Sequence, residues 1–139
     1  MIREQLYIEP YDWTVYAYMD AKSENAEEII GQVEQIGISE EEIQKAERHL
    51  QKAVRNSGMT YSSGTKRESV VVIAHSTSEQ ETLNTFTHEL RHLVDDIAIA
   101  SGVQSSGEEV AYLTGNISLG LAAGLLKTIC ECPICSSHY

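Results

Sequence analysis

The stretch Thr85-Phe86-Thr87-His88-Glu89-Leu90-Arg91-His92 decides how the rest of the chain is read. Leu83, Phe86, Leu90, Val94 and Ile97 recur at intervals of three and four, the period of an amphipathic helix, and His88, Glu89 and His92 fall on the flank this apolar stripe leaves free. Histidines four apart lie one above the other on a helix, so their imidazoles can converge on one ion while the intervening glutamate stands beside them. A zinc ion takes nitrogen ligands at about 2.0–2.1 Å, which i and i+4 side chains reach without distorting the helix. The pattern therefore nominates His88 and His92 as metal ligands, Zn2+ as the cofactor and Glu89 as the base that deprotonates a metal-bound water.

The surroundings give this helix its limits. Ser78 with Glu81 three residues later forms a capping box, and Ser101-Gly102 supplies a stop, so the helix is expected from about Glu79 to about Ala100. Directly before it, Val70-Val71-Val72-Ile73-Ala74 reads as a short apolar strand, expected to border the active cleft as an edge and to accept an extended substrate by strand addition. Gly58 to Lys66, rich in Gly, Ser and Thr, reads as a loop.

Farther upstream, Trp13, Val15, Ala17 and Met19 alternate with Asp12, Thr14, Tyr16 and Tyr18, the period of a half-buried strand, preceded by a short strand at Leu6 to Ile8 and a break at Pro10. Its tyrosine face is read as packing under helices. A helix opens at Ser23 and carries Ala26, Ile29, Ile30, Val33 and Ile36 to a stop at Gly37; a second begins at the Ser39/Glu42 capping box and is expected to run through Ala53 and Val54. His49, on that second helix, has no ligand-type neighbour in sequence. The last helix opens near Ser105 to Glu109 with Val110, Leu113, Ile117, Leu121 and Leu125 on its broad apolar side. The narrow face of Ala111, Gly115, Ser118 and Ala122 is expected to lie against a neighbouring helix.

Bulk properties exclude several function classes. A chain of 139 residues with 42% hydrophobic composition suits one domain, residues 1–129, with 130–139 as a Cys-rich tail. Ten basic against twenty-one acidic residues give a net charge of -11, which repels phosphate backbones and anionic lipid, so neither nucleic acid nor membrane is expected as a partner. The Val110 to Leu126 run is interrupted by Thr114, Asn116 and Ser118 and reads as a buried helix. The amino terminus lacks the pattern of a cleaved signal, and the three cysteines sit together outside the core, which points to a reducing, cytoplasmic setting. Cys130, Cys132, Cys135 and His138 are ligand types for a second, structural zinc, but four ligands within nine residues strain a tetrahedron, and a floppy or transiently oxidised tail is the preferred reading.

A catalytic zinc needs a third protein ligand and an open position. Asp95 and Ala98 stand where the longer metzincin pattern has its glycine and third histidine, which leaves a downstream carboxylate, Glu108 or Glu109. A helix running eight residues past His92 ends roughly 12 Å beyond the metal level, and seven loop residues reach back roughly 23 Å at full stretch. Both glutamates are also N3 residues of overlapping Ser105/Glu108 and Ser106/Glu109 capping boxes. The division favoured is Glu108 on the metal and Glu109 as cap.

His88-Glu89-Leu90-Arg91-His92 with Glu108-Glu109-Val110-Ala111-Tyr112 resembles the HExxH plus E-x-x-A-(D/N) signature of gluzincin-type metallopeptidases, in particular the small versions of phages and mobile elements. The resemblance covers about Val70 to Leu121. It implies a zincin-like α+β domain with about four helices on a small sheet, His88, His92 and Glu108 as zinc ligands, Glu89 as general base, and a peptide or protein substrate. Tyr112 stands where many such enzymes carry an acidic or amide residue that orients a ligating histidine, with Asp95 or Asp96 as possible substitutes. Tyr112, Tyr61 and His75 are the candidate oxyanion donors, Tyr112 being carried forward as catalytic. The alternative is a degenerate zincin fold acting as a binding or regulatory module.

Overall fold

In the computed structural model, which describes residues 1–52 and 54–130, the alternation around Trp13 becomes the middle of a four-stranded mixed sheet. β1 (Ile2–Ile8) and β2 (Trp13–Ala21) form an antiparallel hairpin around a single turn of 3-10 helix, Glu9–Tyr11, with Asp12 left-handed at its exit. Trp13, Val15, Ala17 and Met19 all face one core and are at most 2% exposed. Tyr18 and Tyr16 face the other way and pack beneath helices, as expected of them. β1 is longer than its sequence pattern, starting at Ile2, because Glu4 on its inward side and Tyr7 on its outward side interrupt the alternation of apolar and polar residues.

α1 (Ala26–Gln35) and α2 (Glu40–Gln51) follow, divided by Gly37 at φ +83°. Ser39 Oγ accepts from Glu42 N at 3.3 Å, so the capping box forms. α2 ends at Gln51, short of its expected length, and Val54 is exposed rather than in the core. The chain then enters β3 (Gly58–Ser63) and β4 (Glu68–Ala74), an antiparallel pair. The sheet order is β1-β2-β4-β3, with β2 and β4 parallel.

This order corrects two expectations. Gly58 to Ser63 is a strand, not a loop, and it forms one edge of the sheet, β1 the other. Val70 to Ala74 is central, bonded to β2 on one side and β3 on the other, so it has no free edge to offer a substrate. The apolar run of β4 fits a strand buried on both faces.

α3 (Glu79–Ser101) and α4 (Glu108–Ile129) form an antiparallel pair on the face opposite α1 and α2. Ser78 Oγ accepts from Glu81 N at 3.1 Å, and Gly102 at φ +69° ends α3, both as the sequence indicates. α4 is different: its N-cap is Gly107, with no side-chain cap, so the Ser105 and Ser106 capping boxes do not form and Glu108 and Glu109 are its first two residues. The broad apolar side of α4 is buried through Val110, Leu113, Ile117 and Leu121. Ala111 and Gly115 point to solvent, and the close approach is made instead by Gly120 and Gly124 against β1: a methyl at Gly120 would stand 2.6 Å from Leu6 Cδ1, and one at Gly124 2.8 Å from Glu4 Oε1. α4 is long and apolar enough to cross a membrane by length and composition, yet it lies with one face in the core against α3 and β1.

Two glycine substitutions have opposite expected signs. A Cβ at Gly58 would meet Glu89 Cγ at 2.6 Å and Val72 O at 2.7 Å, so Gly58→Ala should lower stability by about 1–3 kcal/mol. Gly115 has open space around it in a helix interior, and Gly115→Ala should raise stability by roughly 0.5–1 kcal/mol. Urea unfolding midpoints of the two variants measure both.

Candidate metal centre

α3 lies over the β3 and β4 side of the sheet, with α4 on its other flank over β1 and β2. His88 and His92 therefore face away from α4, exposed, over the open edge of β3. Their Nε2 atoms are 3.1 Å apart. Two nitrogens bound at about 2.05 Å to one tetrahedral ion stand roughly 3.3 Å apart, so the two rings, here within hydrogen-bonding distance of one another, are spaced close to what a chelate needs. The concavity they line, about 410 Å³, is floored by Gly58, Met59, Thr60 and Tyr61 of β3 and includes Glu89 and Asp96. It continues into a second one of about 690 Å³ that shares Thr60, Tyr61 and Asp96 and extends past Glu42 and Lys45 of α2 to Ile99. Together they make a groove along the unpaired side of the edge strand.

Glu89 is the buried member of the site, 4% exposed. Thr60 Oγ1 donates to its Oε2 at 2.5 Å. Its Oε1 has no such partner, and among the described residues no fully buried side-chain oxygen lacks one, so Oε1 reaches the groove. One oxygen is thus anchored and the other is left to act. Gly58 makes this packing possible, because any side chain there would occupy the space of the Glu89 Cγ. Tyr61, next to Thr60 in the strand, turns to the opposite face of the sheet and packs on the α1 and α2 core, its hydroxyl donating to Met59 Sδ at 3.8 Å; burial first, then the charges of Glu42 and Glu89, push its phenol above the ordinary tyrosine range.

A directed hydrogen-bond chain ends in the same groove. Trp13 Nε1 donates to Ser69 Oγ at 2.9 Å, Ser69 and Ser62 hydroxyls are 2.7 Å apart, and Ser62 Oγ donates to Asp96 Oδ2 at 2.7 Å. An indole N–H only donates and a carboxylate only accepts, so Ser69 must donate to Ser62. Asp96 is held by this chain and Asp95 by Arg91 at 3.0 Å; neither carboxylate orients an imidazole.

Other nominated residues lie elsewhere. Glu109 Oε1 accepts from the Tyr11 hydroxyl at 3.2 Å, while Tyr11 O accepts from the Arg67 guanidinium, which also reaches Ser101 Oγ. The start of α4 is thereby tied to the carboxyl end of α3, nine residues or roughly 14 Å along the helix from His92. Glu108, exposed beside Glu109, does not join the histidines: the loop of residues 102–107 turns at the helix end instead of reaching back. Among the described residues no group of three His, Cys, Asp or Glu side chains is placed to hold a metal. Tyr112 is 70% exposed on α4 and lines no part of the groove. His75 sits at the far end of β4, with Nδ1 2.6 Å from Asp20 Oδ1. Of the three proposed oxyanion donors only Tyr61 belongs to a strand that lines the groove, and its hydroxyl lies on the other face of the sheet, so none of the three reaches the histidine pair. His49 bonds Ser57 Oγ at 3.0 Å, a structural role. Cys132, Cys135 and His138 lie outside the described residues.

Comparison with family models, curated proteins and solved structures finds no match. The residues alone carry the reading that follows. Thr60 is the site residue that the sequence did not offer, because its segment has a loop-like composition; the alternation of Met59 and Tyr61 with Thr60 and Ser62 was the available signal.

Removing the Thr60 hydroxyl should expose how much Glu89 depends on it. Thr60→Val leaves a buried carboxylate oxygen without its donor and should cost about 1–3 kcal/mol in denaturant unfolding, while Thr60→Ser should stay close to the native value. Equal stabilities for the two variants would mean the bond holds nothing.

Proposed function

We propose that the chain is a metal-dependent hydrolase acting on extended peptide segments, with His88 and His92 as the metal-binding pair and Glu89 as the general base. The observation that carries the reading is the 3.1 Å imidazole pair opening onto a groove that follows a free strand edge, with a carboxylate oxygen of Glu89 reaching the same space. A zinc ion held by these histidines would supply a polarised carbonyl and a water acidified to a pKa of about 7.

The chain's own groups would do the rest. Glu89 takes a proton at the unanchored Oε1 and returns it to the departing amine, while Thr60 keeps the carboxylate from rotating out of line. β3 offers the backbone groups of its outer side to an extended substrate, which explains why six residues of modest apolar content form the edge. The zincin-like resemblance and its peptidase chemistry enter here as support from motif, with the third ligand position not met by Glu108.

That same observation favours a second reading, a non-catalytic binding module. A pair of imidazoles with no third protein ligand among the described residues would hold zinc weakly, and the groove would then serve recognition alone.

Zinc content and turnover separate the two. To keep the tail from contributing metal, the measurements use the chain with Cys130, Cys132 and Cys135 changed to Ser. That protein should bind one zinc per chain, His88→Ala and His92→Ala should each lose it, and Glu89→Gln should retain zinc while cleavage of an unfolded-protein substrate falls about 10²–10⁴-fold. Zinc bound without any cleavage by the parent would establish the binding module; stoichiometric zinc in the double His88→Ala, His92→Ala chain would remove both readings.

A further inference from the structure

A second concavity lies where the two parallel strands end. β2 and β4 are neighbours running the same way, but their continuations part: the chain leaving β2 passes to α1 and α2 on one face, and the chain leaving β4 passes to α3 on the other. At such a divergence nothing covers the carboxyl ends of the strands, and open sheets use the resulting crevice for ligands. Here it measures about 300 Å³, within the range of small-molecule sites.

The local geometry of this crevice is specific. The β2–β4 register shifts between Met19 and Ala21, so Asp20 drops out of the pairing and adopts φ +61°. Such bulges re-aim a side chain. The Asp20 carboxylate is directed at His75 Nδ1, 2.6 Å away, while His75 N donates to Ala21 O at 2.8 Å and ties the two strand ends together. A carboxylate only accepts, so Nδ1 donates to Asp20; the bond fixes the ring where it lines the crevice.

The remaining polar lining is Lys22, Ser23 and Arg55. No residue lining the crevice is acidic, and among the described residues neither Lys22 nor Arg55 is paired with a carboxylate. In a chain of net charge -11, a walled depression that gathers a lysine, an arginine and an oriented imidazole is the reverse of the surface average.

We propose that this crevice binds the anionic group of a small molecule, a phosphate monoester or a carboxylate, with Arg55 supplying a two-pronged contact and Lys22 a point charge. The site is separate from the histidine pair of α3 and does not rest on the reading of that pair.

The test is a titration of the ¹⁵N-labelled full chain with inorganic phosphate and, separately, with acetate, at an ionic strength held constant with sodium chloride. Amide shifts at residues 21–23, 55 and 74–76 should saturate below ~10 mM, a millimolar affinity typical of a single anionic group. Lys22→Gln with Arg55→Gln should weaken binding at least about tenfold, the loss of roughly 1.4 kcal/mol, and His88→Ala should leave it unchanged. Tighter binding of phosphate assigns the site to phosphate monoesters, and tighter binding of acetate to carboxylates. Non-saturating shifts spread over the surface, or saturating shifts that survive the double substitution, would overturn the proposal.

Discussion

The close approach of α3 to the edge strand governs this molecule. Gly58 has no side chain, and the space this leaves is filled by the Glu89 stem; Thr60, two residues on and facing the same way, meets the carboxylate. Burying a carboxyl group next to an apolar core is costly unless it is hydrogen-bonded, and that hydroxyl offsets part of the cost of this position of the helix. Once it does, the rotation of α3 is fixed. Its apolar stripe, Phe86, Leu90, Leu93, Val94 and Ile97, enters the core, and the two histidines one turn apart are left outward over the groove.

The same placement separates α4 from the site. α3 occupies the β3 and β4 side of the sheet, α4 must cover β1 and β2, and Gly120 and Gly124 let it settle onto Leu6 and Glu4. The Tyr11–Glu109 bond and the Arg67 bridge from Tyr11 to Ser101 hold the start of α4 at the end of α3. A carboxylate at position 108 is thus held near the end of α3, some nine residues of helix from His92, too far along to meet an ion between His88 and His92.

Much of the fold could be read from the residues because several signals agreed. At α3 the period of three and four, the Ser78 cap and the Gly102 stop all coincide, and the helix has the expected limits. At β2 strict alternation with large apolar residues separated the two cores correctly. β3 was hidden because its residues are chosen for what they touch: a glycine for clearance and hydroxyls for Glu89 and Asp96 make a strand composed like a loop. β4 looked like an edge because nothing in its own sequence says which neighbours it has; a continuous apolar run is the mark of burial on both sides. The overlapping Ser105 and Ser106 capping boxes gave two candidate starts for α4, and the chain uses neither, with Gly107 taking that place. In the candidate site, His88, Glu89 and His92 lie side by side as the helical spacing requires, whereas Thr60 joins them only through the packing of α3 on the edge strand, which local sequence does not encode.

The composition of β3 has a bearing on solubility. A strand with one unpaired side is a template on which another copy of the chain could grow, and proteins suppress this with short, polar margins. Gly58, Thr60, Ser62 and Ser63 give this margin few greasy handles, and the overhanging histidines narrow the approach. An incoming strand would find backbone to pair with but little to bury, so whatever lodges there must be held by something beyond adhesion, and chains should not zip to one another into fibres.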